Sequence, residues 1–182
     1  MKKYFKTSMV LAIICACAAI ILAFLNSLTQ PVIIEYEYQK TLSALEAVSD
    51  GLLISEENSL VENNSFVNYY YVLSEDNVKM GYLLNLDAVG YGGKISMVAS
   101  YNKEGQVMQA KVVSNTETPG LGKKCEESWY MNKYLNKSKI PNSKTQLNGD
   151  DADAISGASI TFIAIANALR SGSDFVKSLG GK

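Results

Sequence analysis

Residues 9–25 form an unbroken apolar run near the start of the chain, and a short basic segment precedes them. As an α-helix these 17 residues span about 26 Å, close to the hydrocarbon thickness of a bilayer, about 30 Å. Lysines that flank a membrane span tend to stay in the cytoplasm, which places the rest of the chain outside. The pattern predicts an uncleaved anchor over residues 1–30 that crosses the cell (cytoplasmic) membrane once.

Two other interpretations of this segment stay open from the sequence. A cleaved signal peptide normally has a shorter apolar core followed by a small-residue cleavage site, and residues 23–31 offer only a weak one. Cys17 could mark a lipoprotein cleavage site, but mostly apolar residues follow it, where a released lipoprotein would turn polar. The uncleaved anchor is therefore the preferred interpretation.

The segment after Pro31 has a helical pattern, because side chains on one face recur every three to four residues. These positions are Tyr38, Leu42, Leu45 and Ser49. Gly51 supplies a stop signal. We expect a connecting helix over residues 31–50 and an extracytoplasmic domain over residues 51–182.

Short alternating segments joined by tight turns then predict a series of β-strands. Residues 65–74 and 79–89 are joined by Glu75–Asn77, which is typical of a hairpin. Residues 94–101 alternate with Ile95, Met97 and Ala99 on one side. Strands linked by turns of two to four residues favour an antiparallel sheet with one face covered.

The next segment, residues 106–114, shows the same alternation. Met108, Ala110 and Val112 should face one way, and Gln109 and Lys111 the other.

The C-terminal part has a helical pattern. Residues 125–137 can form a short helix, residues 138–151 form a polar loop, and the last helix should begin near Gly157. Its buried stripe follows the 3.6-residue period. The stripe consists of Phe162, Ile165, Ala166, Leu169 and Val176. The class is α+β: one N-terminal transmembrane helix, then a domain with a mainly antiparallel sheet and flanking helices.

Charge and composition exclude several functions. Three of the 17 basic residues precede the apolar run, which leaves 14 against 18 acidic residues in the remainder. Such a domain lacks the basic surface that nucleic acid requires. The absence of histidine removes the usual zinc ligand and every Ser–His or Cys–His nucleophile pair. We expect no nucleic-acid partner, no metal site and no catalytic residue.

The three cysteines do not form a disulfide framework. Cys15 and Cys17 lie in the apolar run, where they are most simply small apolar helix residues. Cys125 is left alone in the domain, and no motif surrounds it. We expect it to be a partly buried thiol.

Three glycine-containing segments stand out, and all could meet at one pocket. They are GYGGKI (90–95), TETPGLGKK (116–124) and DAISGASIT (153–161). In the second, Pro119 and Gly120 predict a type II turn with a positive φ at the glycine. Leu121 is an apolar residue on this open loop, which could lie flat against a planar ring.

The third segment has two interpretations. In the first, Ser156 or Ser159 is an ordinary helix cap, with Asp153 near the positive end of the helix and Gly157 in the turn before it. In the second, the free N–H groups at the helix start bind a phosphate. Since an anion there gains only about 0.3–1 kcal/mol, a nearby hydroxyl could hold the phosphate through a phosphoester. A serine-hydrolase elbow is excluded, because the chain has no histidine.

In this order after one N-terminal span, the three segments resemble the RnfG family, the FMN-binding proteins of the Rnf electron-transport complex. They are also similar to the related FMN-binding protein of the sodium-pumping NADH:quinone oxidoreductase. The resemblance covers essentially the whole chain, and its short length and ETPGLG segment favour the Rnf branch.

In that family the motif Asp-x-x-Ser/Thr-Gly-Ala-Thr/Ser carries FMN through a phosphoester to its last hydroxyl residue, and an FAD-dependent flavin transferase forms the bond. The resemblance implies covalent FMN on Ser159, a serine where threonine is usual, with Thr161 as the alternative. The other motif residues are Asp153, Ser156, Gly157 and Ala158. The loop expected near the flavin consists of Glu117, Thr118, Gly120, Leu121 and Gly122.

The resemblance also implies a function: an electron-transfer subunit of an ion-translocating ferredoxin:NAD oxidoreductase. Its partners would be the other integral-membrane subunits. Two alternatives stay open, namely a stand-alone flavinylated surface protein that passes electrons onward, and an anchored binding module without redox function.

Overall fold

The computed structural model describes residues 2–55, 58–61, 64–76 and 78–180. These residues form two compact units, one ending at Gln39 and the other beginning at Lys40. The domain boundary at residue 51 stays a prediction.

The first unit is helical. Helix α1 (Lys2–Ser49) begins in it and continues through Pro31 without a break. Proline usually interrupts a helix because it lacks an N–H donor, so the sequence predicted two segments where the structure has one. Within the described chain, α1 is the one helix long and apolar enough to cross a membrane. This agrees with the predicted anchor.

The second unit contains an antiparallel sheet. Its strands are β1 (Leu53–Ile54), β2 (Asn58–Leu60), β3 (Val67–Glu75), β4 (Val78–Val89), β5 (Lys94–Asn102) and β6 (Val107–Asn115). The order is β1-β3-β4-β5-β6, and β2 pairs with β3. The predicted hairpin is confirmed as β3–β4, although Asn77 of its turn lies outside the described residues. The structure confirms the α+β class.

Short helices follow the sheet. A 3-10 helix (Gly122–Glu126) leads into α2 (Ser128–Met131), which together replace the single short helix predicted there. The predicted polar loop contains a second 3-10 turn and the start of α3 (Gly149–Ala154). The last helix, α4 (Ser159–Gly180), begins two residues after Gly157, as the sequence predicted.

Helix α4 packs on one face of the sheet and forms the main core with it. The predicted stripe of α4 is confirmed, because all five of its side chains are fully buried. Ile95, Met97 and Ala99 of β5 are fully buried against them, again as predicted. Tyr101 extends this contact, since its hydroxyl donates to the Leu169 carbonyl at 3.0 Å. This packing fixes where α4 starts relative to the ends of the strands.

The opposite face of the sheet is also covered in part, so the prediction of one covered face was incomplete. Val98 is fully buried there, because the last turns of α1 pack on that side. The buried residues of those turns are Ala44, Leu45, Val48 and Ser49. The expected helix face therefore needs correction: Tyr38 and Leu42 are exposed.

The predicted alternation along β6 is broken at Met108. Ser100 pairs with Gln109 while the next residue of β5, Tyr101, pairs with Val107. Met108 is therefore the extra residue of a β-bulge, and a bulge shifts the alternation of inward and outward side chains. As a result Val107 is buried and Met108 is exposed.

Candidate functional site

The three glycine-containing segments meet at one cleft, as the sequence predicted. The cleft has a volume of about 390 Å³, within the range of small-molecule sites. Its lining residues are Tyr91, Glu117, Thr118, Leu121, Gly122, Gly157, Ala158, Ser159, Ile160 and Thr161. It therefore combines the β4–β5 loop, the loop after β6 and the first turn of α4.

Glu117 joins the three segments. Its Oε1 accepts a hydrogen bond from the Gly92 N–H at 2.9 Å, and its Oε2 accepts one from the Thr161 hydroxyl at 2.7 Å. The side chain is enclosed, and Glu117 is only 5% exposed. A single carboxylate thus ties the β4–β5 loop to the start of α4.

Three glycines make room for Glu117, two for its carboxylate and one for its backbone. A Cβ on Gly90 would lie 3.0 Å from Glu117 Cδ, and one on Gly92 would lie 2.9 Å from Glu117 Cα. A Cβ on Gly122 would lie 2.9 Å from Glu117 Cβ and 2.8 Å from Thr161 Oγ1. Real Cβ atoms essentially never come within 3.0 Å of such neighbours, and a Cβ on Gly90 or Gly122 would lie closer still to a carboxylate oxygen of Glu117. Gly90 and Gly122 are therefore required by the Glu117 side chain and Gly92 by the neighbouring backbone, whether or not a ligand is bound.

The loop after β6 has the turn that its sequence predicted. Gly120 has a φ of 77°, and the Leu121 N–H donates to the Thr118 carbonyl at 3.2 Å. A φ in this region suits glycine, which has no Cβ to clash. The turn projects Leu121 over Gly157, where a Cβ would meet Leu121 Cδ2 at 3.0 Å. Leu121 stays partly exposed and forms an apolar wall of the cleft.

The start of α4 presents its first turn to the cleft. Backbone N–H groups in a first helical turn have no acceptor within the helix. The Ser159 side chain is exposed there, and its hydroxyl has no hydrogen-bond partner among the described residues. Ser156 accepts a bond from Lys144 Nζ at 3.3 Å instead of capping the helix. Neither serine therefore acts as the side-chain cap that the first interpretation required.

The two candidate hydroxyls have different environments. Thr161 is 1% exposed, and its hydroxyl is bound to Glu117. Ser159, two residues earlier, is exposed and lines the cleft.

Three of the residues singled out from the sequence lie outside the cleft lining: Gly120, Asp153 and Ser156. Gly120 shapes the turn. Asp153 and Ser156 are exposed in α3 and the turn after it. Asp153 contributes its backbone carbonyl, which accepts from the Ser156 N–H at 3.0 Å.

Two lining residues were missed by the sequence reasoning. Tyr91 lies in the GYGG loop and is highly exposed, and Ile160 is exposed beside Ser159. An aromatic residue between glycines was the available signal for Tyr91. For Ile160 the only signal was its apolar side chain at an exposed position of the last helix. That position can be recognised as exposed only once the first residue of the helix is known.

The charge of the cleft is unusual. Among the described residues that line it, Glu117 is the only charged one, and none is Lys or Arg. The remaining lining groups are apolar side chains, glycines and hydroxyls. An anionic ligand would therefore find backbone N–H groups but no basic side chain in the wall.

Cys125 lies close behind this wall and is fully buried. Burial raises the pKa of its thiol to about 12, and the nearby carboxylates Glu126 and Glu117 add to the effect. Cys125 is therefore more deeply buried than the partly buried thiol expected, and the raised pKa disfavours the thiolate, which is the reactive form.

A larger cavity, of about 510 Å³, lies elsewhere in the domain. Its wall includes Trp129, Lys133 and Asp151, and the Lys133 ammonium is paired with the Asp151 carboxylate. None of the candidate site residues lines it. The smaller cleft is the candidate site, because the motif residues converge there.

The comparison with protein families agrees with this location. Residues 90–173 match the FMN-binding domain family. That span contains the β4–β5 loop, the loop after β6 and the first turn of α4, and so every lining residue of the cleft.

Relatives match over nearly the whole chain. The G subunit of the proton-translocating ferredoxin:NAD(+) oxidoreductase complex of Clostridium ljungdahlii is 25% identical, over 94% of this chain and 91% of the relative. The G subunit of the ion-translocating oxidoreductase complex is 28% identical in Methanosarcina acetivorans, over 99% and 98%. The corresponding protein of Erwinia tasmaniensis is 27% identical, over 97% and 91%. The resemblance expected from the motifs is confirmed.

Proposed function

We propose that this chain, which carries an FMN-binding domain over residues 90–173, is a membrane flavoprotein subunit of an ion-translocating oxidoreductase. Its relatives from such complexes match over almost their full lengths, and α1 is suited to a membrane. The single observation that carries the proposal is the cleft in which all three motif segments meet.

The residues of the cleft fit FMN. Tyr91, Leu121 and Ile160 offer apolar surface to a flat ring. The first turn of α4 offers N–H groups to a phosphate. Bound FMN would supply electron transfer, whereas the chain supplies position and electrostatics.

The charge of the cleft supports covalent attachment. A phosphate carries negative charge, yet no described lining residue is basic. The helix start contributes only about 0.3–1 kcal/mol to an anion, which is too little to retain a cofactor. A phosphoester removes this difficulty, because the bond holds the phosphate without a basic partner.

Ser159 is the attachment residue in this proposal. Its hydroxyl is exposed and unpartnered among the described residues, whereas the Thr161 hydroxyl is buried and donates to Glu117. A flavin transferase must reach the nucleophile. The Ser159 oxygen would form the bond to phosphorus, FAD would lose AMP as the leaving group, and the hydroxyl proton would be released.

Asp153 and Ser156 suit recognition by that transferase. Both are exposed and lie outside the cleft, so they stay accessible while the cleft receives the flavin. We place residues 51–182 on the outer side of the membrane, as the basic segment before the apolar run favours. In this arrangement the anchor keeps the flavin domain beside the other membrane subunits.

The test is co-expression with an FAD-dependent flavin transferase, followed by intact-mass measurement and in-gel flavin fluorescence after denaturation. We expect one added FMN less one water on the unchanged chain and on Ser159→Thr. Ser159→Ala should lose the adduct, whereas Thr161→Val should keep it. An unmodified chain beside a competent transferase would contradict the proposal, and an adduct on Ser159→Ala would contradict the assignment of the residue.

Partner isolation tests the membership of a complex. The full chain should co-purify with integral-membrane subunits after mild detergent extraction from its own host. Purification of a flavinylated chain without such subunits would favour the stand-alone electron carrier instead.

A further inference from the structure

Glu117 brings an uncompensated charge to the wall of the cleft. Its two oxygens accept hydrogen bonds from a backbone N–H and from a hydroxyl, both of which are neutral donors. Within the part of the chain that the structure describes, the ion pairs involve Asp87, Asp151 and Asp174 rather than Glu117. No lysine or arginine among the described residues forms an ion pair with it.

The geometry suits the ionised carboxylate. An ionised carboxylate only accepts hydrogen bonds, and here each oxygen accepts one. Gly90 and Gly122 keep the group in place, since a side chain on either of them would collide with the carboxylate. At 5% exposure, water screens the charge poorly, and electrostatic interactions are stronger in such a site than in bulk water.

We infer that Glu117 lowers the reduction potential of a flavin held at Ser159, and so makes that flavin a stronger reductant. The inference rests on the proposed function. Reduction by two electrons from a redox donor, with one proton from the solvent, leaves a ring with one additional negative charge. A fixed negative charge in the wall opposes this change, and no basic lining residue among those described offsets it.

Glu117→Gln isolates the charge from the hydrogen bonds. The amide has nearly the same size, its carbonyl oxygen can accept from the Gly92 N–H, and its NH₂ can donate to the Thr161 hydroxyl. We expect the midpoint potential to rise. The equilibrium between oxidised and reduced flavin should shift at least about tenfold, or about 30 mV for a two-electron couple.

Thr161→Val tests the same carboxylate in the opposite direction. It removes the hydroxyl that donates to Oε2 at 2.7 Å but leaves the charge. Because this hydrogen bond partly neutralises the oxygen, its loss should lower the potential. A purely structural role of Glu117 would move both variants in the same direction.

Glu126→Gln is the matched control for loss of a nearby carboxylate. Glu126 lies in the 3-10 helix after Gly122, is exposed, and does not line the cleft. Its removal should leave the potential nearly unchanged, because solvent screens exposed charges. Thermal unfolding of each variant shows whether the fold is retained.

Spectroelectrochemical titration of the full flavinylated chain in detergent measures the potentials, and fluorescence of the denatured chain first measures flavin content. A flavin-free unchanged chain would overturn the proposed function and this inference with it. A flavinylated Glu117→Gln with an unchanged or lower potential would overturn the inference alone. If Glu117→Gln does not fold, Thr161→Val decides: a lower potential supports the inference, and an unchanged or higher one overturns it.

Discussion

Asp87 and Glu117 are two carboxylates of the same domain with contrasting partners. Asp87 in β4 accepts hydrogen bonds from Ser96 Oγ at 2.6 Å and Asn68 Nδ2 at 2.8 Å, and it pairs with Lys94 Nζ at 2.8 Å. Glu117 has neutral donors only.

The two carboxylates also differ in how exposed their surroundings are. The Asp87 side chain is 19% exposed and its cationic partner is 66% exposed, so water and side-chain motion can accommodate changes there. Glu117 is enclosed by three glycines and the start of α4. Burying a charge without a cation is costly. Such a cost is expected at a functional site, where local rules are broken, and this contrast in partners is the observation from which a functional role of Glu117 is inferred.

The strongest test of the enclosure around Glu117 is Gly92→Ala. The added Cβ would lie 2.9 Å from Glu117 Cα and closer still to the Thr116 carbonyl oxygen. Because these are backbone atoms, relief requires the β4–β5 loop or the loop after β6 to move. We expect a loss of about 3 kcal/mol in the free energy of unfolding, measured by urea denaturation.

Gly149→Ala is the control for that change. Nothing lies within 4 Å of a Cβ at this position, so the free energy should change by no more than about 0.5 kcal/mol. Equal stability of the two variants would show that the enclosure is looser than the distances indicate.

A smaller effect is expected for removal of the carboxylate itself. Glu117→Ala leaves the Gly92 N–H and the Thr161 hydroxyl without an acceptor in an enclosed site, which should cost about 2 kcal/mol. Glu117→Gln should cost less, since it retains both bonds. If urea denaturation gives the two variants the same stability, these hydrogen bonds do not stabilise the junction of the three loops.

Local periodicity explains what the sequence could predict. The stripe of α4 and the inward residues of β5 were correct, because strong apolar residues follow one period and pack on one core. The predicted alternation of β6 failed at Met108 because a β-bulge is determined by the pairing of two strands, which a single segment does not reveal. The anchor and the connecting helix were predicted as separate segments, but they form one helix, because a local preference did not interrupt it at Pro31. Val98 is buried by a helix distant in sequence.

The candidate site could likewise be predicted only in part. The motif order located the three segments and the turn at Gly120. The role of Glu117 could not be predicted, because its partners lie 25 and 44 residues away. The packing of Gly90 on its side chain is equally non-local. Only the tertiary structure shows that this glycine makes room for a carboxylate.

The comparison predicts that replacing Asp87 has a moderate effect on stability and that this effect depends on pH. Burial raises the pKa of Asp87, but hydrogen bonds from Lys94, Ser96 and Asn68 and the Lys94 charge outweigh it, so the net pKa is lowered from 3.8. The contribution to stability is therefore present above about pH 4 and is lost as the pH falls through the lowered folded-state value.

Asp87→Asn should consequently lower the free energy of unfolding by about 1.5 kcal/mol at pH 7. The difference from the unchanged chain should shrink in urea denaturation as the pH is lowered below about 4. A difference that stays constant down to about pH 2 would show that the carboxylate is not held ionised by these partners.

The smallest effect is expected for Lys94→Gln, which removes the cation from Asp87 and keeps most of the side-chain stem. Lys94 is 66% exposed, and exposed ion pairs contribute about 0–1 kcal/mol, so we expect a loss of about 0.5 kcal/mol. High salt should abolish the difference, because ions screen exposed charges. A double-mutant cycle with Asp87→Asn measures the coupling directly. A coupling above about 2 kcal/mol would lie well beyond the range of exposed ion pairs. Asp87 would then depend on Lys94 as strongly as a buried carboxylate depends on its cation. In that case Asp87 and Glu117 would differ in whether a cation is present, and not in how exposed they are.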